Sequence, residues 1–214
     1  MDAIEIKKQK IMYNERKIVA DDYGFFVLSI DTLESFISAK KIKTKKLLSH
    51  LNKNKELLNE CVQKGILLPI NQITVCSYQL FISGDTDLDK IEKDWNIILE
   101  EGVFNLKIGA DAKLWFIALA QFNVWDKNKF LTQDDYNGYW IESGPNGDKE
   151  FEYIAQRFNV ATGEYFVKVL GLRRKELTND ENKDYGYYFE LTPTKSISQN
   201  IISPEICPSF NLIE

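Results

Sequence analysis

Between positions 73 and 191 the chain is a succession of short apolar runs, each closed by a turn rich in glycine, aspartate or asparagine. No other feature narrows the possible folds as much, because short runs of alternating, β-branched and aromatic residues bounded by turn formers are strands. The run over 73–82 stops at Ser83-Gly84 and an acidic loop, and the runs over 102–108 and 114–119 flank Gly109-Ala110-Asp111-Ala112-Lys113, a predicted hairpin. Trp95 to Leu99 is a short element of open type. The same order then returns: Tyr139-Trp140-Ile141-Glu142-Ser143-Gly144 echoes Gln79-Leu80-Phe81-Ile82-Ser83-Gly84 sixty positions on, and 158–160 with 165–169 echoes the hairpin. A last run, 185–191, closes the set. Two such units predict an antiparallel two-sheet β-sandwich. Internal duplication (about 73–130 and 136–192) and ordinary strand-turn periodicity both account for the echoes.

Residues 1–70 read differently, as a small α+β segment, so the chain is mainly β and α+β overall. Lys10-Ile11-Met12-Tyr13 and Lys17-Ile18-Val19-Ala20 have the look of short strands, and 25–30 is apolar enough to be buried on both faces. Asp31 with Glu34 three residues on predicts a capping box ahead of a helix striped by Leu33, Phe36 and Ile37. A second helical stretch begins near Thr44, carries Leu47, Leu48, Leu51, Leu57, Leu58, Cys61 and Val62, and ends at Gly65. Pro69, in an apolar connector, marks the expected boundary between a 1–70 part and a 71–214 domain.

Charge divides at the same place. Residues 1–70 hold 13 Lys and Arg against 9 Asp and Glu, a net +4, and 71–214 hold 14 against 23, a net −9, which together give the −5 of the whole chain. Lys40, Lys41, Lys43, Lys45, Lys46, Lys53 and Lys55 fall on or beside the predicted helices. They lack interleaved aromatics for base stacking, and the rest of the chain repels phosphate, so direct nucleic-acid binding is not expected. No apolar run approaches a membrane span of roughly 18 residues. The opening Met1-Asp2-Ala3-Ile4-Glu5 lacks a signal-peptide layout, and Cys61, Cys76 and Cys207 are odd in number, so a cytoplasmic protein with reduced thiols is expected.

Candidate chemistry is sparse. The loop Asp85-Thr86-Asp87-Leu88-Asp89 fails as an EF-hand because Lys90 and Asn96 stand where Gly and Glu belong. His50 is the only histidine and sits among lysines, so a Ser or Cys nucleophile has no evident base. Glu142-Ser143-Gly144-Pro145-Asn146-Gly147 is neither a nucleophile elbow nor a phosphate loop, and Asp134-Asp135 reads as a solvated turn. The expectation is a protein with no catalytic residues, no metal and no cofactor. What stands out instead is Asp85, Asp87, Asp89, Glu92 and Asp94, five carboxylates within ten positions, beside Trp95. Charges around an aromatic anchor form the pattern of a hot spot for a basic partner, and a polar loop that only aids solubility is the competing reading.

Residues 73–192 resemble the competence protein J family, cytoplasmic inhibitors of a bacterial DNA-uptake nuclease, and related immunity proteins. The likeness is carried by Ser77-Tyr78-Gln79-Leu80-Phe81, by Trp95 ahead of Gly102-Val103-Phe104, and by the run 114–119. Gly163-Glu164-Tyr165-Phe166-Val167-Lys168-Val169 and Tyr187-Tyr188-Phe189-Glu190-Leu191 complete it. It implies a bacterial β-sandwich that binds and silences a basic toxin, a nuclease above all, by covering its active groove. The alternative is a carbohydrate- or small-ligand-binding module using exposed Trp115, Trp125 or Trp140, and a carboxylate-pair hydrolase is a third class.

Overall fold

The computed structural model describes residues 16–131, 134–143, 148–178, 180–197 and 209–213. The strand expected at 10–13, the 144–147 turn and Cys207 lie outside these residues. The described strands make two five-stranded sheets, so the chain is mainly β. The first sheet contains β1 (Lys17–Val19), β4 (Ser77–Ile82), β10 (Tyr185–Thr194), β9 (Gly163–Arg174) and β5 (Trp95–Ile108), in that spatial order. The second contains β3 (Leu67–Asn71), β2 (Gly24–Leu28), β6 (Lys113–Ala118), β8 (Asp148–Asn159) and β7 (Tyr136–Ser143). All neighbours are antiparallel except β4 and β10, which run parallel, so the first sheet is mixed and not the purely antiparallel sheet expected.

Alternation decides which side chains meet. Phe25, Val27, Leu68, Ile70, Leu114, Phe116 and Phe158 of the second sheet share one buried cluster with Tyr78, Leu80, Ile82, Leu106, Val167, Tyr187 and Phe189 of the first. Phe116 meets Phe189 edge-on at 4.9 Å and Phe158 at 5.3 Å. The segment 209–213 closes this cluster: Phe210 and Leu212 are buried in it, the Tyr187 hydroxyl donates to the Phe210 carbonyl at 2.7 Å, and Asn211 Oδ1 accepts from Thr74.

The opposite face of the second sheet carries α1 (Ile30–Ala39), α2 (Leu47–Lys53) and α3 (Lys55–Gln63). Their buried Leu33, Phe36, Leu47, Leu51, Leu57, Cys61 and Val62 cluster with Phe26, Leu28, Trp115 and Ile117. Trp125 joins them, stacked between Phe122 and Phe130. On the opposite face of the first sheet, α4 (Leu88–Asp94) buries Ile91 against Trp95, Leu170, Leu172 and Tyr188. A short α5 (Glu181–Asp184) precedes β10.

Several expectations are corrected. The runs 102–108 and 114–119 are no hairpin: β5 and β6 lie in different sheets, and 109–112 carries the chain from one to the other. The echoing connection from β8 to β9 makes the same crossing in reverse. No boundary falls at Pro69, which lies inside β3 opposite Phe26, while β1 pairs with β4 and β2 with β6. The two echoing units interleave, since β4 and β5 pair with β10 and β9, and β6 pairs with β8. The expected capping box is used elsewhere. Helix α1 starts at Ile30, Asp31 Oδ2 accepts from Ala110 N at 2.9 Å, and Glu34 accepts from Trp125 Nε1 at 2.8 Å.

The fully buried Ser29 hydroxyl accepts from Gly109 N at 3.1 Å and donates to Asp111 Oδ1 at 3.3 Å, so it holds the crossing turn against α1. Leaving a buried donor without a partner costs about 1–3 kcal/mol, so Ser29→Ala should lower unfolding free energy by that amount in urea denaturation.

Candidate functional site

The acidic segment leaves β4 through a tight turn. Gly84 takes a left-handed φ of 87°, Asp85 N and Thr86 N both donate to Ile82 O, and the Tyr188 hydroxyl donates to Thr86 O. The chain then enters α4, pinned to the sheet by Ile91 and the partly buried Leu88. With those two positions turned inward, Asp85, Asp87, Asp89, Glu92 and Asp94 are all exposed. Lys90 pairs with Asp87 at 2.9 Å, and the Lys175 ammonium donates to the Glu92 carbonyl, leaving the Glu92 carboxylate to solvent. The five carboxylates share this segment with Lys90 and Lys93, and Lys175 reaches it from beyond β9.

Trp95, expected as the aromatic anchor of this surface, is not on it. Only 5% of the residue is exposed; Phe81 packs edge-on at 5.8 Å and the Arg174 guanidinium covers the ring at 4.6 Å. Leu88 and Ile91 lie three residues apart on the inward face of α4, and Trp95, the first residue of β5 where the helix ends, packs with Ile91, Leu170, Leu172 and Tyr188.

The other tryptophans divide sharply. Trp115 and Trp125 are buried, and Trp140 is 51% exposed on β7. Its neighbour Tyr139 is 45% exposed. The Tyr139 hydroxyl is pushed up to about 12, by partial desolvation first and by its hydrogen bond with the Glu152 carboxylate second. Sequence reasoning took Trp140 only as one of three sugar platforms; its place on an edge strand depends on pairing that no local pattern reports.

The lysine-rich segment lies on the far side of the molecule from α4. Lys41, Lys43, Lys45, Lys46, Lys53 and Lys55 are exposed on the helical layer over the second sheet, and α4 lies over the first. Lys40 is drawn into a pair with Glu60 at 2.6 Å, and together with Lys64 it holds that carboxyl below its ordinary range. Asp134 is exposed, whereas Asp135 is held by Arg157 at 2.7 Å. Burial pushes the Cys61 and Cys76 thiols up to about 12 and 11, which makes them poor nucleophiles at neutral pH. Among the described residues no three His, Cys, Asp or Glu side chains gather as metal ligands would, and no helix is long and apolar enough to cross a membrane.

Trp95→Ala should therefore cost stability and Trp140→Ala should not. Emptying a buried Trp site costs about 3–5 kcal/mol, and an exposed substitution stays within about 0.5 kcal/mol, both read by chemical denaturation. No protein-family model, curated protein or solved structure matches this chain.

Proposed function

We propose that this protein is a non-catalytic β-sandwich inhibitor, of the immunity type, that binds a basic protein toxin and covers its active groove. The observation that carries the reading is the separation of charge: the acidic α4 segment and the lysine-rich helices occupy opposite outer layers. A basic partner that approaches α4 therefore meets the five carboxylates, with Lys90 and Lys93 among them, and not the lysine-rich helices. A nuclease is the favoured target, because a groove that binds a phosphate backbone carries the lysines and arginines that an acidic surface complements. Complementary charge of this kind steers encounter and raises the association rate, while short-range packing sets the lifetime of the complex. The likeness to nuclease inhibitors of the competence protein J type points the same way.

A second reading has one observation in its favour. The exposed indole of Trp140 beside Tyr139 is a surface on which a sugar ring stacks, whereas burial of Trp115 and Trp125 removes the other two platforms.

The triple variant Asp85→Asn, Asp89→Asn, Glu92→Gln tests the first reading, since these side chains are exposed and their loss leaves the core intact. With the basic protein captured from the source cells, the variant should associate about tenfold more slowly at low salt, with a flatter salt dependence. An association rate equal to that of the unaltered protein would remove α4 as the docking surface.

A further inference from the structure

The two sheets have four edges, and three are defended. β1 is three residues long, and β3 is five residues long and contains Pro69. β5 breaks register between Ile97 and Leu99 and again between Glu101 and Phe104, and Lys107 N donates to Gly65 O at 2.8 Å, which covers its far end. Bulges, proline, brevity and cover are the usual devices that keep an edge from pairing with another chain. The pairing of β7 with β8 has one irregularity, where Ile154 of β8 is passed over between Asn137 and Gly138, and then runs in regular register from Gly138 opposite Tyr153 to Ser143 opposite Asp148. β7 contains no proline, and no described strand pairs with its outer side.

This edge is also aromatic and charged. Trp140 packs edge-on against Phe151 at 5.2 Å, and Phe151 continues into Tyr153 at 4.9 Å and Tyr136 at 5.7 Å. A Cβ at Gly138 would collide with the Phe151 ring and the Glu152 carbonyl, so the ring lies directly over the strand. Residues 134–157 carry six carboxylates (Asp134, Asp135, Glu142, Asp148, Glu150 and Glu152) against Lys149 and Arg157, a net −4. The segment 85–94 carries five against two, a net −3. Both segments are thus acidic, and the hairpin of β7 and β8 alone presents an exposed tryptophan.

We propose that the outer edge of β7 over 138–142 receives an extended, lysine- or arginine-bearing segment of a partner protein as an added strand. Alternate backbone N–H and C=O groups of an edge strand point away from its neighbour and supply the ladder. Trp140 and Tyr139 supply apolar contact on the two faces, and Glu142, Glu150 and Glu152 meet the cations. The proposal rests on the reading of the protein as a binder of a basic partner, and assigns that partner a second, strand-mediated contact.

The test uses the full chain and an octapeptide alternating lysine and valine. Its controls are a glutamate–valine octapeptide and the lysine–valine peptide N-methylated at alternate residues. Amide hydrogen exchange is followed over 138–142. The lysine–valine peptide should slow exchange there about tenfold at low salt and less at high salt, and neither control should do so. Trp140→Ala should weaken the protection while leaving the unfolding midpoint in place. Protection by the glutamate peptide, equal protection by the N-methylated peptide, or none at all would overturn the proposal. If the peptide is ignored while the α4 triple variant still slows partner association, the edge proposal falls and the inhibitor reading stands. If the peptide adds to β7 while the captured partner ignores the α4 variant, the edge proposal stands and the α4 surface falls.

Discussion

Four connections carry the chain from one sheet to the other, and two of them, after β5 and after β8, lie against each other. The turn after β5 and the turn after β8 are tied by Val160 N donating to Ala112 O at 3.1 Å and by the Thr162 hydroxyl donating to Gly109 O at 2.8 Å. Ser29 and Asp31, at the start of α1, grip the first turn from the other side. Because both turns are held, β5 pairs with β9 in one sheet while β6 pairs with β8 in the other. The placement of α1, and through it the whole helical layer, follows from the same contacts. So does the edge position of β7, which is what remains outside β8 once β6 has taken its inner side.

Much of this was legible in the sequence. The strand runs, the apolar helix stripes and the Gly65 terminator are local features, and local periodicity reports them directly. The crossing of 109–112 was not legible, because a hairpin and a sheet-to-sheet turn have the same glycine and aspartate content. What separates them is the identity of the partner strand, a contact between distant positions such as Lys113 and Asn159. Asp31 and Glu34 failed as a capping box for a similar reason: a carboxylate near a helix start serves whichever donor the tertiary fold delivers, here Ala110 N and Trp125 Nε1. At the candidate site the charges were readable and the anchor was not. Trp95 begins β5 opposite Arg174, and this pairing, with the apolar cluster of Ile91, Leu170, Leu172 and Tyr188, buries a side chain that the carboxylates around it suggested was a surface anchor.

Function, on this account, comes from the placement of charge. A two-sheet body with the lysine-rich helices over one sheet and α4 over the other puts these two charged segments on opposite outer layers. Such a charge distribution orients the molecule during approach, so the acidic layer faces a basic groove before contact. For the short-range part of recognition, the proposed contact is Trp140 on β7 of the second sheet, packed on Phe151 and backed by Tyr136 and Tyr153.

The most direct test of the central claim is a hydrogen-exchange footprint of the stoichiometric complex with the basic protein captured at low salt. The account predicts protection over the α4 segment and β7, with the lysine-rich helices exchanging as they do in the free protein. Protection centred on the lysine-rich helices, with α4 and β7 unchanged, would contradict it.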